Sequence, residues 1–385
     1  MNPANKRKIM SALHWIGVVG NLALAMLTIF SAYGGMIDPE LTAIGAIAAM
    51  LFPGFLMITG VVTLINLIWF RKQAIINSLS IIACIGPILT LCPLNLFRPS
   101  VESIERSGER VITVMTYNIL NFERYTPIVS QWESDSAGNP ALQYLLDQNV
   151  DIAVCQEAED LGRPGLHGVT AEQLRLLDER YPYKNVTRRG MAILSKYPFK
   201  RVPVCVADPN QLDLYRYDVD IDGRTLHLFS AHMQSIGLNS DDKALYRNLT
   251  EGSTSIGMDK IRMTLLSKLA KAFKLRAFQA QDVRNALDMV DGMVLLCGDF
   301  NDIPGSYTAR VIESDDMTDA YSHAGLGPSI TYHADRFFFR IDHMFYRGPI
   351  EALRVWRGEC MHSDHYPLIG IYRIDQPDNN QPDNK

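Results

Sequence analysis

Polar side chains able to do acid–base or ligand chemistry recur at the ends of short apolar runs in this sequence. Asn118 closes VITVMTYN (111–118), Glu157 follows DIAVCQ (151–156), and His232 closes LHLFSAH (226–232). Asp299 and Asn301 stand in GDFND, Asp342 and His343 in RIDH, and Asp364 and His365 in SDHYP. Taken singly, each has a plain explanation, since an Asn after a strand is a turn residue and a lone His a satisfied structural group. Taken together, carboxylates, amides and imidazoles at many strand ends converge on one rim and build an active site. A carboxylate-rich site of this kind suits attack by water on a phosphoester. A cation neutralises the non-bridging oxygens, a base aims the water, and donors face the equatorial oxygens. The chain has no GxxxxGK[ST] loop and no GxSxG elbow, which leaves a covalent, metal-free route the weaker reading.

The elements that must position these groups alternate in type. Further strand-like runs are MAILS (191–195), MVLLCGDF (293–300), IDHMFY (341–346) and PLIGIY (367–372). Helix-like segments intervene at 141–148, 171–181 and about 259–290. This mixture predicts an α/β or α+β domain of stacked sheets with covering helices. Six cysteines (84, 92, 155, 205, 297 and 360) show no metal spacing and no disulfide framework, so buried thiols are expected.

The first hundred residues are a different object. They hold six Lys/Arg against two acids, whereas the remainder holds 31 against 40. Uncharged runs span 9–37, 41–70 and 73–97, each long enough for a helix to cross a hydrocarbon core. Three transmembrane helices are expected at about 11–33, 45–70 and 74–96. Lys6, Arg7, Lys8, Arg71 and Lys72 flank one side, while the loop between the first two runs carries only Asp38 and Glu40. Keeping the basic clusters cytoplasmic puts the N-terminus inside and delivers the large domain outside, into the periplasm in a Gram-negative cell. The expected organisation is an anchor (1–97), a polar linker (98–110), a catalytic domain (111–374) and a disordered tail (375–385).

Seven motifs, in order, resemble those of the endonuclease/exonuclease/phosphatase superfamily: TYNIL (116–120), QE (156–157), MAILSKYP (191–198), SAHMQ (230–234), GDFNDIP (298–304), RIDHMF (340–345) and SDHYPL (363–368). They cover about residues 111–372, and the likeness suggests a membrane-anchored bacterial member. It implies a four-layer α/β/β/α sandwich of two packed sheets with a divalent-metal site at one end. By matching motif, Glu157 is the main ligand of Mg²⁺ or Mn²⁺, with Asn118 beside it and Asp364 as the nearby acid. His232 donates to a phosphoryl oxygen, Asp299 orients or deprotonates the water, and Asn301 partners it on the phosphate. His365 binds phosphate or acts as acid/base, with Asp342 orienting its ring.

The substrate is less constrained. Ala158-Glu159-Asp160 follows QE where nuclease-like members carry Lys or Arg, and an acidic domain gains little counterion-release affinity for a polyanion. The leading expectation is a membrane-anchored, metal-dependent phosphodiesterase acting on lipid headgroups. The alternatives are an extracytoplasmic endo- or exonuclease and a non-catalytic, membrane-tethered phosphoester-binding protein. Residues 259–288 form a basic amphipathic stretch with two readings, a covering helix with a solvated outer face or a contact for anionic headgroups or a nucleic-acid backbone. Its apolar positions 264–265, 269, 273, 275 and 278 are expected on the domain core.

Overall fold

The computed structural model describes residues 3–123, 138–163, 165–208, 212–237, 258–334 and 338–374. The tail at 375–385 lies outside them. Helices α1 (Pro3–Tyr33) and α2 (Ile44–Trp69) are joined by a tight connection at 34–43. Both contain stretches, Met10–Met36 and Ile44–Trp69, long and apolar enough to cross a membrane. The third uncharged run is not one rod. It forms α3 (Arg71–Ala83) and α4 (Ile85–Leu91), bent by 58°. Pro87 has no N–H to offer the carbonyl of Ala83, and the Tyr33 hydroxyl donates to that carbonyl instead, at 2.6 Å.

The polar segment read as a linker carries a short helix, α5 (Val101–Ser107), capped by the Ser100 hydroxyl accepting from the Ser103 N–H.

Beyond it lie β1 (Val111–Asn118), α6 (Pro140–Gln148), β2 (Ile152–Gln156), α7 (Ala171–Arg180), β3 (Tyr183–Val186), β4 (Ala192–Ser195), β5 (Phe199–Val202), β6 (Asp213–Ile221) and β7 (Arg224–His232). The chain continues through α8 (Met258–Asp288), β8 (Val294–Asp299), α9 (Tyr307–Glu313), β9 (Thr318–Asp319), α10 (Ala320–Ala324), β10 (Asp342–Arg347), β11 (Ile350–Arg357) and β12 (Leu368–Ile374). These build two six-stranded mixed sheets, ordered β11-β12-β1-β2-β4-β3 and β5-β6-β7-β8-β10-β9.

Strand periodicity explains the layers. In β1, Ile112 and Val114 enter the core between the sheets, whereas Met115 and Tyr117 face α6 and α7. In β8, Leu295 and Cys297 point inward and Val294 and Leu296 meet α8 and α9. Two sheets face to face with helices outside make the expected four-layer α+β sandwich.

Two expectations need correction. Cys205 is exposed, because its segment after β5 is irregular rather than a strand. The apolar residues of α8 also divide. Ala280, Val283 and Leu287 cover the second sheet, but Leu265, Leu269 and Phe273 cluster with Ala46, Ile47 and Met50 of α2. Phe278 is 58% exposed. The helix is longer than the sheet it covers, so its first half meets the apolar helix α2 instead.

The domain rests on one end of the apolar N-terminal helices. A Cβ on Gly35 would lie 1.9 Å from the Gly305 carbonyl oxygen, so only glycine permits this approach. The Tyr307 hydroxyl donates to Asp38 at 3.3 Å, and the Gly327 N–H donates to the Pro93 carbonyl at 2.8 Å. Arg71 and Lys72 sit at the opposite end of α2, roughly 39 Å away for a helix of its length.

Candidate active site

The inward parity of each central strand ends in a polar residue at one rim. Asn118 continues the row of Ile112 and Val114, and His232 that of Leu226 and Leu228. Asp299 continues that of Leu295 and Cys297, and Asp342 that of Met344 and Tyr346. One step below, Thr116 and Gln156 bond to each other and replace the apolar layer. Register then does the rest: His232 pairs with Asp299 across parallel β7/β8, and Asp342 with Asp299 across antiparallel β10/β8. Gly298 makes the first pairing possible, since a Cβ there would meet the Ala231 carbonyl oxygen at 1.8 Å.

Eight of the nine polar residues singled out gather at this rim; His343 points to the opposite face of β10, against Phe300 and Phe345, with its Nε2 on the Asp302 carbonyl at 2.9 Å. The Asn118 amide donates to Glu157 Oε1 at 3.0 Å and to Asp299 Oδ2 at 3.1 Å, bridging the two sheets. Its own oxygen accepts the Leu120 N–H. His232 Nε2 stands 3.8 Å from Glu157 and 3.7 Å from Asp299. His365 Nδ1 donates to Asp342 Oδ2 at 2.8 Å, and its Nε2 lies 3.6 Å from Asp299 Oδ2. The Asn301 N–H caps Asp299 Oδ1 at 2.9 Å, while its side-chain amide donates to the Met233 carbonyl, tying the two site loops together. Asp364 is half-buried and accepts the Ser363 hydroxyl at 3.3 Å. Glu157 and Asn301 both have φ of +52°, a conformation Asn tolerates and Glu adopts at a cost.

Electrostatically the rim is two devices. Burial, aided by Asp299 and Asp364, pushes the Glu157 carboxyl upward, against the Asn118 hydrogen bond and His232. Among the described residues, the ion partners of Glu157 and Asp299 are imidazoles, with no Lys or Arg. Glu157 and Asp364 therefore have the oxygen chemistry and the excess negative charge that a hard divalent cation satisfies.

Ligand atoms of Asp299, Asp342 and His365 also lie within 4.8 Å of one another. Burial opposes charge on His365, but Asp342 and Asp299 outweigh it and lift the ring to about 10. A protonated ring donates through both nitrogens, which suits this trio to holding a proton between the two carboxylates.

Sequence reasoning missed the scaffold behind these groups. The buried Thr331 hydroxyl accepts the N–H of both Ile341 and Asp342, at 3.0 and 3.1 Å. Ser363 donates to the Asn118 carbonyl at 2.8 Å. Asn121 donates from its backbone to the Glu157 carbonyl and exchanges hydrogen bonds with Asp160. Ser363 sits in the SDH motif and was open to inference; Thr331 carries no local signal. Glu159, in the stretch where nuclease-like members carry Lys or Arg, is exposed and lies with its carboxylate against Gly190.

Solved structures similar to the chain include an endonuclease/exonuclease/phosphatase from Beutenbergia cavernae, at 20% identity and TM-score 0.46, covering 69% of this chain and 72% of that one. D. rerio TDP2 complexed with single strand DNA product is 15% identical with TM-score 0.44, covering 69% and 100%. Sphingomyelinase C from Streptomyces griseocarneus is 18% identical with TM-score 0.40, covering 68% and 99%. A search among curated proteins returned no match. A domain of unknown function (DUF8431) matches residues 11–91. The model of the Endonuclease/Exonuclease/phosphatase family matches residues 115–365, taking in every rim residue. With sandwich, rim and motifs in agreement over that span, the chain belongs to the endonuclease/exonuclease/phosphatase family of phosphoester hydrolases.

Proposed function

We propose that the protein is a membrane-anchored, Mg²⁺- or Mn²⁺-dependent phosphodiesterase whose catalytic domain faces the extracytoplasmic side and cleaves lipid headgroups. The observation that carries the substrate choice is where the site loops lie. The loop after Asp299 and Asn301 reaches Gly35 through Gly305. The loop after His232 brings Ile236 onto Ala46, Ile47 and Met50 in the first turns of α2. Both loops thus touch the end of the apolar helices, at the level where headgroups sit. The basic residues at the other end of α2 support the outward orientation.

Glu157 and Asp364 would hold the cation, with Asn118 alongside to keep the carboxylates aligned. When bound, the metal neutralises charge on the phosphoryl oxygens and polarises the phosphorus. Asp299, fixed by the Asn301 N–H and the Asn118 amide, orients the attacking water and accepts its proton. His232 donates to a phosphoryl oxygen as charge builds there. His365, held by Asp342, offers its Nε2 proton to the phosphate or the leaving oxygen.

The test uses the full chain in lipid nanodiscs with Mg²⁺. Turnover of bis-p-nitrophenyl phosphate and release of headgroups from the disc lipids are expected, both abolished by EDTA. Cleavage of oligonucleotides without headgroup release would move the assignment to a nuclease. Metal retention without turnover of any phosphoester would leave a binding protein. A C-terminal alkaline phosphatase fusion is expected to be active, and an inactive one would reverse the orientation.

A further inference from the structure

Helix α8 is chemically two helices. Residues 265–281 carry Lys268, Lys271, Lys274 and Arg276 and no acid, whereas Asp282 and Asp288 follow in the half that covers the sheet. Arg276 is buried and committed inward, to Asp302 at 3.3 Å and to the Gln234 carbonyl at 3.0 Å. Lys271 and Lys274 are exposed and, three residues apart, share a face. The same segment packs Leu265, Leu269 and Phe273 on Ala46, Ile47 and Met50, the first two turns of a span-length apolar helix. Leu266 flanks that contact and is 43% exposed. A cationic helix whose apolar edge is seated on the first turns of a membrane span has the composition of an interfacial element.

We infer that the first half of α8 binds anionic lipid headgroups of the leaflet that holds the start of α2. Lys271 and Lys274 supply the charge, and Leu266 enters the acyl boundary. The inference rests on the membrane-anchored reading above. The same helix grips the site loops: Arg276 holds Asp302, three residues after Asp299. Gln279 accepts the N–H of Gln234, two residues after His232, at 2.9 Å. Headgroup capture and loop positioning therefore belong to one rigid element.

The test places the photo-crosslinker p-benzoylphenylalanine at Leu266 in the full chain, reconstituted in phosphatidylcholine liposomes with or without phosphatidylglycerol. Crosslinkers at Ile16 and Leu64, exposed on the two spans, serve as anchor controls, and lipid adducts are read by mass spectrometry. The expected result is an adduct at position 266 dominated by phosphatidylglycerol. Lys271→Glu with Lys274→Glu should reduce it on the order of tenfold, with bis-p-nitrophenyl phosphate turnover retained. Adducts at Ile16 and Leu64 but none at Leu266 would overturn the inference and leave the anchor standing. Adducts at none of the three would overturn the anchor itself. A position-266 adduct indifferent to phosphatidylglycerol and to charge reversal, or one displaced by a single-stranded oligonucleotide, would also overturn it.

Discussion

Two buried polar clusters sit at opposite ends of this protein's chemistry. Among the apolar N-terminal helices, Asn21, Asn66, Gln73 and Asn77 are all under 9% exposed and hold α1, α2 and α3 together. Asn21 accepts from Asn66 at 2.7 Å and from Asn77 at 2.5 Å, and donates to Gln73 at 3.1 Å. At the domain rim, Asp299, Asp342 and His365 are equally buried, but each is ionisable. Carboxamides carry donors and acceptors together, so they bond one another without charge and act as glue between helices, although the Asn77 Oδ1 is buried without a partner. Carboxylates only accept. A cluster of them stays incomplete until a proton or a cation joins it, and that incompleteness is the basis of catalysis. The difference teaches that burial of polar groups is no mark of function; the ability to change charge is.

This contrast can be broken, and the largest effect is expected at the rim. Asp299→Asn and His365→Ala should each lower kcat on bis-p-nitrophenyl phosphate by about 10²–10⁴ with the circular dichroism spectrum unchanged. Full activity in both would remove the rim from the chemistry. Asp342→Asn should cost on the order of 10² in kcat, because the His365 ring loses both its orientation and the neighbouring charge that favours its protonated form. Thr331→Val would leave two buried N–H groups without an acceptor, a loss of about 1–3 kcal/mol each way it is satisfied now. Chemical denaturation of the full chain would read it.

On the anchor side, Asn21→Leu is expected to weaken helix packing by ~1–2 kcal/mol, seen as a lower Tm in detergent, while turnover per folded molecule stays unchanged. A matching fall in kcat would show that the two clusters are coupled. The smallest effect is on pH. Burial opposes charge on Asp319, but the buried Arg340 at 2.8 Å outweighs it and holds its carboxyl at about 2. A folded value below the unfolded one means stability present at neutral pH and lost as pH falls from about 4 toward 2. Arg340→Met should reverse that dependence, since burial then dominates and Asp319 favours the fold only when protonated; urea midpoints read by tryptophan fluorescence across pH measure it.

The central strands were plain from sequence, while the edges were not. VITVMTYN is β1 residue for residue, because a buried central strand is a dense apolar run. β3, β5 and β11 lie at or near sheet edges with half-exposed patterns, and β9 is two residues long; such segments offer little periodicity. β6 was also overlooked although Tyr217, Val219 and Ile221 alternate inward, because Asp218 and Asp220 between them mask the apolar count. Among the N-terminal helices, the length of the third apolar run pointed to one helix at about 74–96. Pro87 and the Tyr33 hydroxyl broke it at Ala83, and only one of those two is visible in the run itself.

Residue types and order alone thus determined the family, the core strands and the eight rim residues, since strand parity and motif order are properties of a linear pattern. Tertiary structure decided what those residues face. It set the Asn118 bridge between Glu157 and Asp299, the Asp342–His365–Asp299 trio, and the hidden support of Thr331. It also seated the first half of α8 on α2, which hydrophobic periodicity had placed on the core. Periodicity reports that a helix has an apolar face, but not which neighbour covers it; that depends on contacts between segments more than 200 residues apart in the chain.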